Sequence, residues 1–158
     1  MPYKRRIAVR GIITKNGLIF AQKLKKLEGA SDYWCTPGGG LDDGESLEQG
    51  LAREMIEETG VMPIIGELLF VQQFFDGTRE QLEFFYHIKN NEDYELIDLA
   101  ATTHGTIEIA EYGFIDPTKE NILPKFLQST AISDYIDSPQ PPLIMNYLPK
   151  HDAAPNIA

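Results

Sequence analysis

A glycine-rich run that leads directly into an acidic helix, at residues 39–61, limits the folds open to this chain more than any other feature. The segment is GGLDDGESLEQGLAREMIEETGV, with seven acidic residues and one arginine. Ser46 with Gln49 three residues later forms a capping-box pattern, and Gly60 is a typical residue at a helix end. The segment therefore predicts a helix over residues 47–58.

Three glutamates of this predicted helix, Glu54, Glu57 and Glu58, fall within about 100° of one another around its axis. Like charges three or four residues apart repel by about 0.2–0.5 kcal/mol per pair, and the helix dipole disfavours anions in the later turns. A bound cation would offset both costs, and carboxylate oxygens prefer hard divalent ions such as Mg²⁺ or Mn²⁺. A solvated acidic face is the simpler alternative, but it does not explain the glycines before the helix.

The spacing of these residues matches a known pattern. Gly39, Glu45 and the run REMIEETGV at 53–61 fit G-x5-E-x7-R-E-U-x-E-E-x-G-U, where U is apolar. This resembles the Nudix box at every defined position, and residues 34–38 are similar to the run that precedes the box in MutT-like proteins. The resemblance implies an α/β fold, a Nudix-type α/β/α sandwich with a mixed central sheet. It also implies divalent-metal-dependent hydrolysis of a pyrophosphate bond in a nucleoside diphosphate-linked compound.

The resemblance also assigns roles to residues of the box. The family's metal ligands map to Glu54, Glu57 and Glu58, together with the backbone carbonyl of Gly39. Arg53 would orient Glu57 or reach back to Glu45, which itself would support the loop. The neighbouring glycines Gly38, Gly39 and Gly40 are expected to bind substrate. Lys23, at the end of the second strand, either contacts a substrate phosphate or is a solvated strand end.

The general base is left open by the resemblance, because family members use either a box glutamate or an acidic residue in a later loop. The box candidate is Glu54. Among the later acids, Glu108 and Glu111 are favoured because they lie near a predicted strand before the second helix. The other two candidates are Asp98 and Glu95.

Length, charge and cysteine content exclude several classes of protein. A chain of 158 residues suits one domain with a sizeable core. The net charge of −10 argues against non-specific binding to nucleic acid or membranes. Its single cysteine, Cys35, excludes an internal disulfide. With no apolar run long enough for a bilayer and no signal-peptide pattern, we expect a cytoplasmic protein.

The rest of the chain predicts strands and one further helix. Residues 3–13 and 18–23 form strands around an Asn-Gly turn, 63–75 and 79–89 form a hairpin, and 106–115 form another strand. Three further elements complete the pattern: a strand at 34–36, a glycine loop at 37–40 and a second helix at 118–135.

These elements place a Nudix domain at residues 1–136 and a proline-rich tail at 137–158. The tail is expected to be either disordered or docked as an arm. A homodimer that exchanges this arm and a loose end are both compatible with the sequence.

The substrate is not specified by the box. A nucleoside triphosphate or related nucleotide is favoured, with ADP-ribose or another sugar nucleotide as the alternative. A non-catalytic domain that senses nucleotides is a second class of function. RNA-end hydrolysis is a third, and the negative charge and lack of a basic stripe disfavour long RNA.

Overall fold

The computed structural model describes residues 4–149 and shows a mixed α/β fold. Residues 1–3 and 150–158, at the ends of the predicted domain and tail, lie outside the described residues. The strands are β1 (Arg5–Ile12), β2 (Thr14–Lys15), β3 (Leu18–Leu24), β4 (Trp34–Cys35), β5 (Gly38–Gly40), β6 (Ile65–Phe75), β7 (Glu80–Ile88), β8 (Ile109–Ile115), β9 (Ile122–Leu123) and β10 (Leu143–Asn146). The helices are α1 (Leu47–Thr59), α2 (Gly105–Glu108) and α3 (Ile132–Asp137), with short 3₁₀ turns at Asn91–Tyr94, Leu99–Ala101 and Lys125–Gln128.

The strands form two five-stranded sheets, where the sequence suggested one central sheet. The first has the order β10-β6-β7-β1-β5, and the second has the order β2-β3-β4-β9 with β8 also paired to β3. Both are mixed: β1 runs parallel to β7 and antiparallel to β5, whereas β3 is antiparallel to β8 and β4 is parallel to β9. The predicted α/β class with mixed pairing is confirmed.

The predicted Asn-Gly turn is present, but the strand before it is shorter than the sequence suggested. Asn16 and Gly17 both have positive φ, 51° and 79°, as a two-residue hairpin turn requires. The turn connects the two-residue strand β2 to β3, while β1 belongs to the other sheet. The chain therefore crosses between the sheets at Ile13, which is fully buried.

Helix α1 forms as its local signals predict. Ser46 accepts a hydrogen bond from the backbone of Gln49, both halves of the capping box are present, and Gly60 ends the helix in the left-handed region. Leu51 and Met55 are fully buried in the core between the helix and the first sheet. One face of the helix is thereby fixed, which sets the direction of its glutamates.

The predicted glycine loop at 37–40 is wrong in part, because Gly38–Gly40 form strand β5 against β1. Gly38 has φ of 136°, and a Cβ on it would collide with the backbone of Val9. Gly38 is required because two backbones lie this close, and the sequence does not distinguish that reason from a flexible loop.

Two further predictions need correction. The helix expected over 118–135 is replaced by β9, a 3₁₀ turn at Lys125–Gln128 and α3. Pro124 lies in its middle, where proline removes an N–H and disfavours helix in the preceding residue. The strand expected over 106–115 begins only at Ile109, after the short helix α2.

The described part of the predicted tail is docked, in agreement with one of its two alternatives. Strand β10 runs parallel to β6 at the edge of the first sheet. Leu143 and Met145 pack against the core, while Ile144 is exposed. No helix within residues 4–149 combines the length and the apolar character needed to cross a bilayer.

Candidate active site

A cavity of about 450 Å³ lies where β5 meets the later turns of α1, and we call it the glutamate cavity. Pairing with β1 places the glycines of β5 beside α1. The short helix α2 contributes Glu108 to the same cavity. The cavity combines acids, cations and open backbone. It is lined by Arg6, Arg10, Gln22, Leu24, Lys25, Cys35, Gly38, Gly39, Gly40, Glu54, Glu58, Ile107 and Glu108.

Glu58 is the most buried acid of the site, with 4% of its surface exposed. One of its oxygens, Oε2, accepts hydrogen bonds from Gln22 Nε2 and from the backbone N–H of Gly38, both at 3.0 Å. Burial raises the pKa of Glu58 to about 7, although these two bonds and Arg10 act in the opposite direction. The fold thus holds a carboxylate in a place where water does not solvate it well.

Glu54 faces the same cavity and lies directly against Gly39. A Cβ at Gly39 would be 2.5 Å from the carboxyl carbon of Glu54, so any larger residue here would displace this carboxylate from its position. Burial raises the pKa of Glu54, and a hydrogen bond from Arg53 opposes the increase. The predicted glycine and glutamate are therefore neighbours, with the backbone of residue 39 open to the cavity.

Arg53 connects the box residues, and it makes both contacts that the sequence left as alternatives. Its guanidinium binds both oxygens of Glu45 at 2.8 Å, and it also donates to Glu57 at 3.2 Å and to Glu54 at 3.1 Å. A further bond goes to the carbonyl of Gly40 at 3.0 Å. The bonds from Arg53 and from a backbone N–H lower the pKa of Glu45 to about 2.

Glu57 lies beside the glutamate cavity and is not part of its lining. Its carboxylate is held by Arg53 and by Nδ1 of His104 at 3.2 Å, and its backbone carbonyl accepts a bond from the N–H of His104. His104 is not among the predicted site residues, because nothing local in the sequence links positions 57 and 104. No short-range signal would have found this contact.

The later acidic candidates for a general base separate clearly. Glu108 lines the glutamate cavity with Glu54 and Glu58. Glu111 does not line it and pairs with Lys23 at 3.7 Å. The other two lie in other contacts: Asp98 caps a 3₁₀ turn, and Glu95 forms an ion pair with Lys15.

Lys23, expected to bind substrate phosphate, is directed away from this cavity. Its ammonium group lies 4.9 Å from the ring centre of Trp34. The neighbours on either side in β3, Gln22 and Leu24, line the cavity instead, as alternation along a strand requires.

Three cations that the sequence did not single out line the glutamate cavity: Arg6, Arg10 and Lys25. Arg10 also donates to the carbonyl of Thr36 at 3.1 Å. A usable signal existed, because Arg6 and Arg10 share one face of β1, a strand that is otherwise largely apolar. Together with Lys25 they give the cavity positive charge beside its glutamates.

Within residues 4–149, no three acidic, histidine or cysteine side chains are close enough to hold a metal ion as they stand. Arg53 holds Glu54 and Glu57, and neutral donors hold Glu58. The donor type nevertheless fits Mg²⁺ or Mn²⁺, because the cavity offers the carboxylates of Glu54 and Glu58 beside the open backbone of Gly39.

A second cavity of about 550 Å³ adjoins the first and shares Arg10, Leu24 and Cys35 with it. We call it the apolar cavity. Few of its lining residues are polar. Gln72 and Glu83 are buried on the neighbouring strands β6 and β7, and Gln72 donates a hydrogen bond to Glu83 at 3.0 Å. Arg10 lies 3.5 Å from Glu83. The remaining lining is mostly aromatic or aliphatic: Tyr33, Phe74, Leu123, Pro124, Lys125, Phe126 and Tyr147.

Known proteins resemble this chain along most of its length. The NUDIX domain model matches residues 4–128. An RNA pyrophosphohydrolase of Caulobacter vibrioides is 30% identical over 105 residues, which cover 58% of this chain and 61% of that protein. The nucleoside triphosphatase NudI of an Enterobacter species is 33% identical over 94 residues, covering 54% and 67%. The chain thus spans about three fifths of the length of the first of these relatives.

A solved structure shows the same fold. The MutT protein from Methanosarcina mazei superposes with a TM-score of 0.62 at 19% identity, over 87% of this chain and 96% of the other. Because the family model covers residues 4–128 and the box geometry lies within that range, this chain belongs to the NUDIX family.

Proposed function

We propose that this protein is a divalent-metal-dependent pyrophosphohydrolase that cleaves a pyrophosphate bond in a nucleoside diphosphate-linked compound, with a nucleoside triphosphate or related nucleotide favoured. The observation that carries this proposal is the composition of the glutamate cavity. The buried Glu58 and the partly buried Glu54 line it together with three cations. Acids suit the metal and cations suit phosphate oxygens, so one cavity serves both partners of the reaction.

The metal would be held by Glu54, Glu57, Glu58 and the carbonyl of Gly39, as Mg²⁺ or Mn²⁺. When bound, such an ion neutralises phosphate charge and lowers the pKa of coordinated water. Arg53 positions the glutamates, since it is bonded to two of them and anchored on Glu45. The cations of the cavity would orient the diphosphate.

Glu108 is the general base that the geometry favours. It faces the same cavity as Glu54 and Glu58, whereas Glu111 lies outside it. Because Glu54 would be occupied as a metal ligand, a separate carboxylate is needed to accept the proton of the attacking water.

The apolar cavity suits the organic part of the substrate. It opens beside the glutamate cavity, its walls are aromatic and aliphatic, and Gln72 and Glu83 supply a small hydrogen-bonding edge. Such a composition is typical of a site for a planar organic group. The net charge of −10 favours a free nucleotide over long RNA, although several relatives are named RNA pyrophosphohydrolase.

A substrate panel tests the proposal. The protein is incubated with Mg²⁺ and nucleoside triphosphates, ADP-ribose, sugar nucleotides or 5′-triphosphorylated RNA, and phosphate or pyrophosphate release is measured. We expect the nucleoside triphosphates to react fastest and the rate to vanish with EDTA. Preference for ADP-ribose would establish the alternative substrate class, and tight binding of one compound without turnover would indicate a sensor.

Matched variants test the metal ligands in the same assay. Glu57→Gln is expected to reduce kcat by at least about 100-fold, since a lost ligand removes several kcal/mol of stabilisation. Glu48→Gln, an exposed position on the same helix, serves as the control. A wild-type rate in Glu57→Gln would remove Glu57 from the ligand set.

A further inference from the structure

One wall of the apolar cavity comes from a part of the chain that the family model does not match. The match ends at residue 128, yet Tyr147 lines this cavity. Tyr147 directly follows strand β10, and we call residues 143–147 the C-terminal arm. The cavity is therefore incomplete without a segment that lies outside the common domain.

The register of the arm brings Tyr147 beside the cavity residues of β6. Asn146 pairs with Gln73, and the backbone N–H of Tyr147 donates to the carbonyl of Gln73 at 2.8 Å. One residue further along both strands, Tyr147 comes level with Phe74, and both side chains line the cavity. Alternation along β6 also directs Gln72 to this face.

The arm is bonded to β6 along its length and leaves the aromatic ring of Tyr147 accessible. Leu143 and Met145 pack against the core, whereas Tyr147 is 58% exposed. An aromatic ring that lines a cavity while most of it faces solvent has a free surface on which a planar group can stack. The other aromatic residues of the cavity, Tyr33, Phe74 and Phe126, are less exposed.

We propose that the C-terminal arm completes the nucleoside part of the substrate site and that Tyr147 stacks on the base of the bound nucleotide. This inference rests on the proposed function, because it assigns the base to the apolar cavity and the diphosphate to the glutamate cavity. Tyr147 is thus a specificity residue and takes no part in the chemical step.

The test uses full-length variants and two kinds of probe. ATP and GTP carry a base, and inorganic tripolyphosphate does not. Tyr147→Ala is expected to raise KM for the better nucleotide by about 10-fold, in line with the loss of one base–aromatic stack. Tyr147→Phe keeps the ring and should restore KM, and tripolyphosphate hydrolysis should change by less than about twofold in either variant.

Ile144→Ala is the matched control, because Ile144 is exposed on the same arm and does not line the cavity. An unchanged nucleotide KM in Tyr147→Ala would overturn the inference. So would an equal loss with tripolyphosphate or in Ile144→Ala, because either would show that the arm acts only on stability or on the glutamate cavity.

Calorimetric titration of ATP and GTP separates this inference from the proposed function. Should the wild type bind a nucleotide with an affinity that falls in Tyr147→Ala, yet hydrolyse nothing, the pocket assignment stands and the hydrolase proposal fails. Absence of binding and of turnover for both nucleotides would overturn the assignment of the pocket.

Discussion

Replacement of Glu58 by glutamine removes one buried charge with little change of shape. Both hydrogen bonds to this side chain, from Gln22 and from the backbone of Gly38, go to the same oxygen, Oε2. The amide oxygen of glutamine can accept both of them. The substitution therefore isolates the energetic effect of the charge from the effect of lost contacts.

The expected magnitude follows from the pKa of Glu58, which is raised from 4.5 to about 7 mainly by burial. An acid whose folded-state pKa is raised binds more protons in the folded state, so stability falls as pH rises between these two values. At about 1.4 kcal/mol per pKa unit, the ionised carboxylate costs the metal-free protein about 3 kcal/mol at pH 8 and under 1 kcal/mol at pH 5. Glu58→Gln should recover that difference.

Urea unfolding in EDTA at pH 5 and pH 8 measures this effect. We expect Glu58→Gln to be more stable than wild type by about 3 kcal/mol at pH 8 and by under 1 kcal/mol at pH 5. Glu54 is present in both proteins, and its charge is one of the smaller causes of the raised pKa of Glu58, so the measured difference includes that coupling. Glu48→Gln, an exposed position on the same helix, should show no pH-dependent difference. An equal difference at the two pH values would refute the argument from burial.

Magnesium should reverse the order of stability. Ligand binding to the folded state stabilises it, and wild type retains the charge that binds the ion. We therefore expect Mg²⁺ to raise the Tm of wild type more than that of Glu58→Gln, which should also lose turnover. Equal shifts in the two proteins would exclude Glu58 as a metal ligand.

Two further substitutions test the geometry of the glutamate cavity. Gly39→Ala should lower kcat/KM by about 10-fold or more, because its Cβ would lie 2.5 Å from the carboxyl carbon of Glu54. Gly113→Ala is the control, because nothing lies within 4 Å of the added Cβ. Equal activity of the two variants would contradict the proposed close contact. Glu108→Gln should lower kcat by about 100-fold or more with KM little changed. Glu111→Gln should retain activity, because Glu111 lies outside the cavity. Similar rates in these two variants would exclude Glu108 as the general base.

The sequence was most informative where the controlling interactions are local. The capping box, the end of α1 at Gly60 and the turn at 16–17 depend on residues within a few positions of one another. The mutual spacing of Glu54, Glu57 and Glu58 follows from the same helix. These features could be predicted because the backbone geometry of one element determines them.

Local sequence patterns could not predict contacts between residues that are far apart in the chain. Gln22 and Glu58 are 36 positions apart, and the contact of Glu57 with His104 depends on a long irregular connection. Gly38–Gly40 form a strand because β1 lies beside them, and a run of glycines does not predict that pairing. Propensity also failed over 118–135, where Pro124 divided a segment that otherwise has a helical pattern.

The contacts of the three glutamates identify which of them gives the strongest electrostatic reason for a bound cation. Repulsion within the acidic row is offset internally for Glu57, because the Arg53 guanidinium contacts its carboxylate at 3.2 Å, where His104 Nδ1 lies as well. Glu58 differs, since its two hydrogen-bond donors, an amide side chain and a backbone N–H, are uncharged, and the attraction of Arg10 does not offset the burial that raises its pKa. A buried carboxylate whose hydrogen-bond donors are neutral lowers the stability of the fold at neutral pH, and coordination of a divalent ion would offset that loss. The case for the metal therefore depends on Glu58, with Glu54 beside it, more than on the number of acids in the helix.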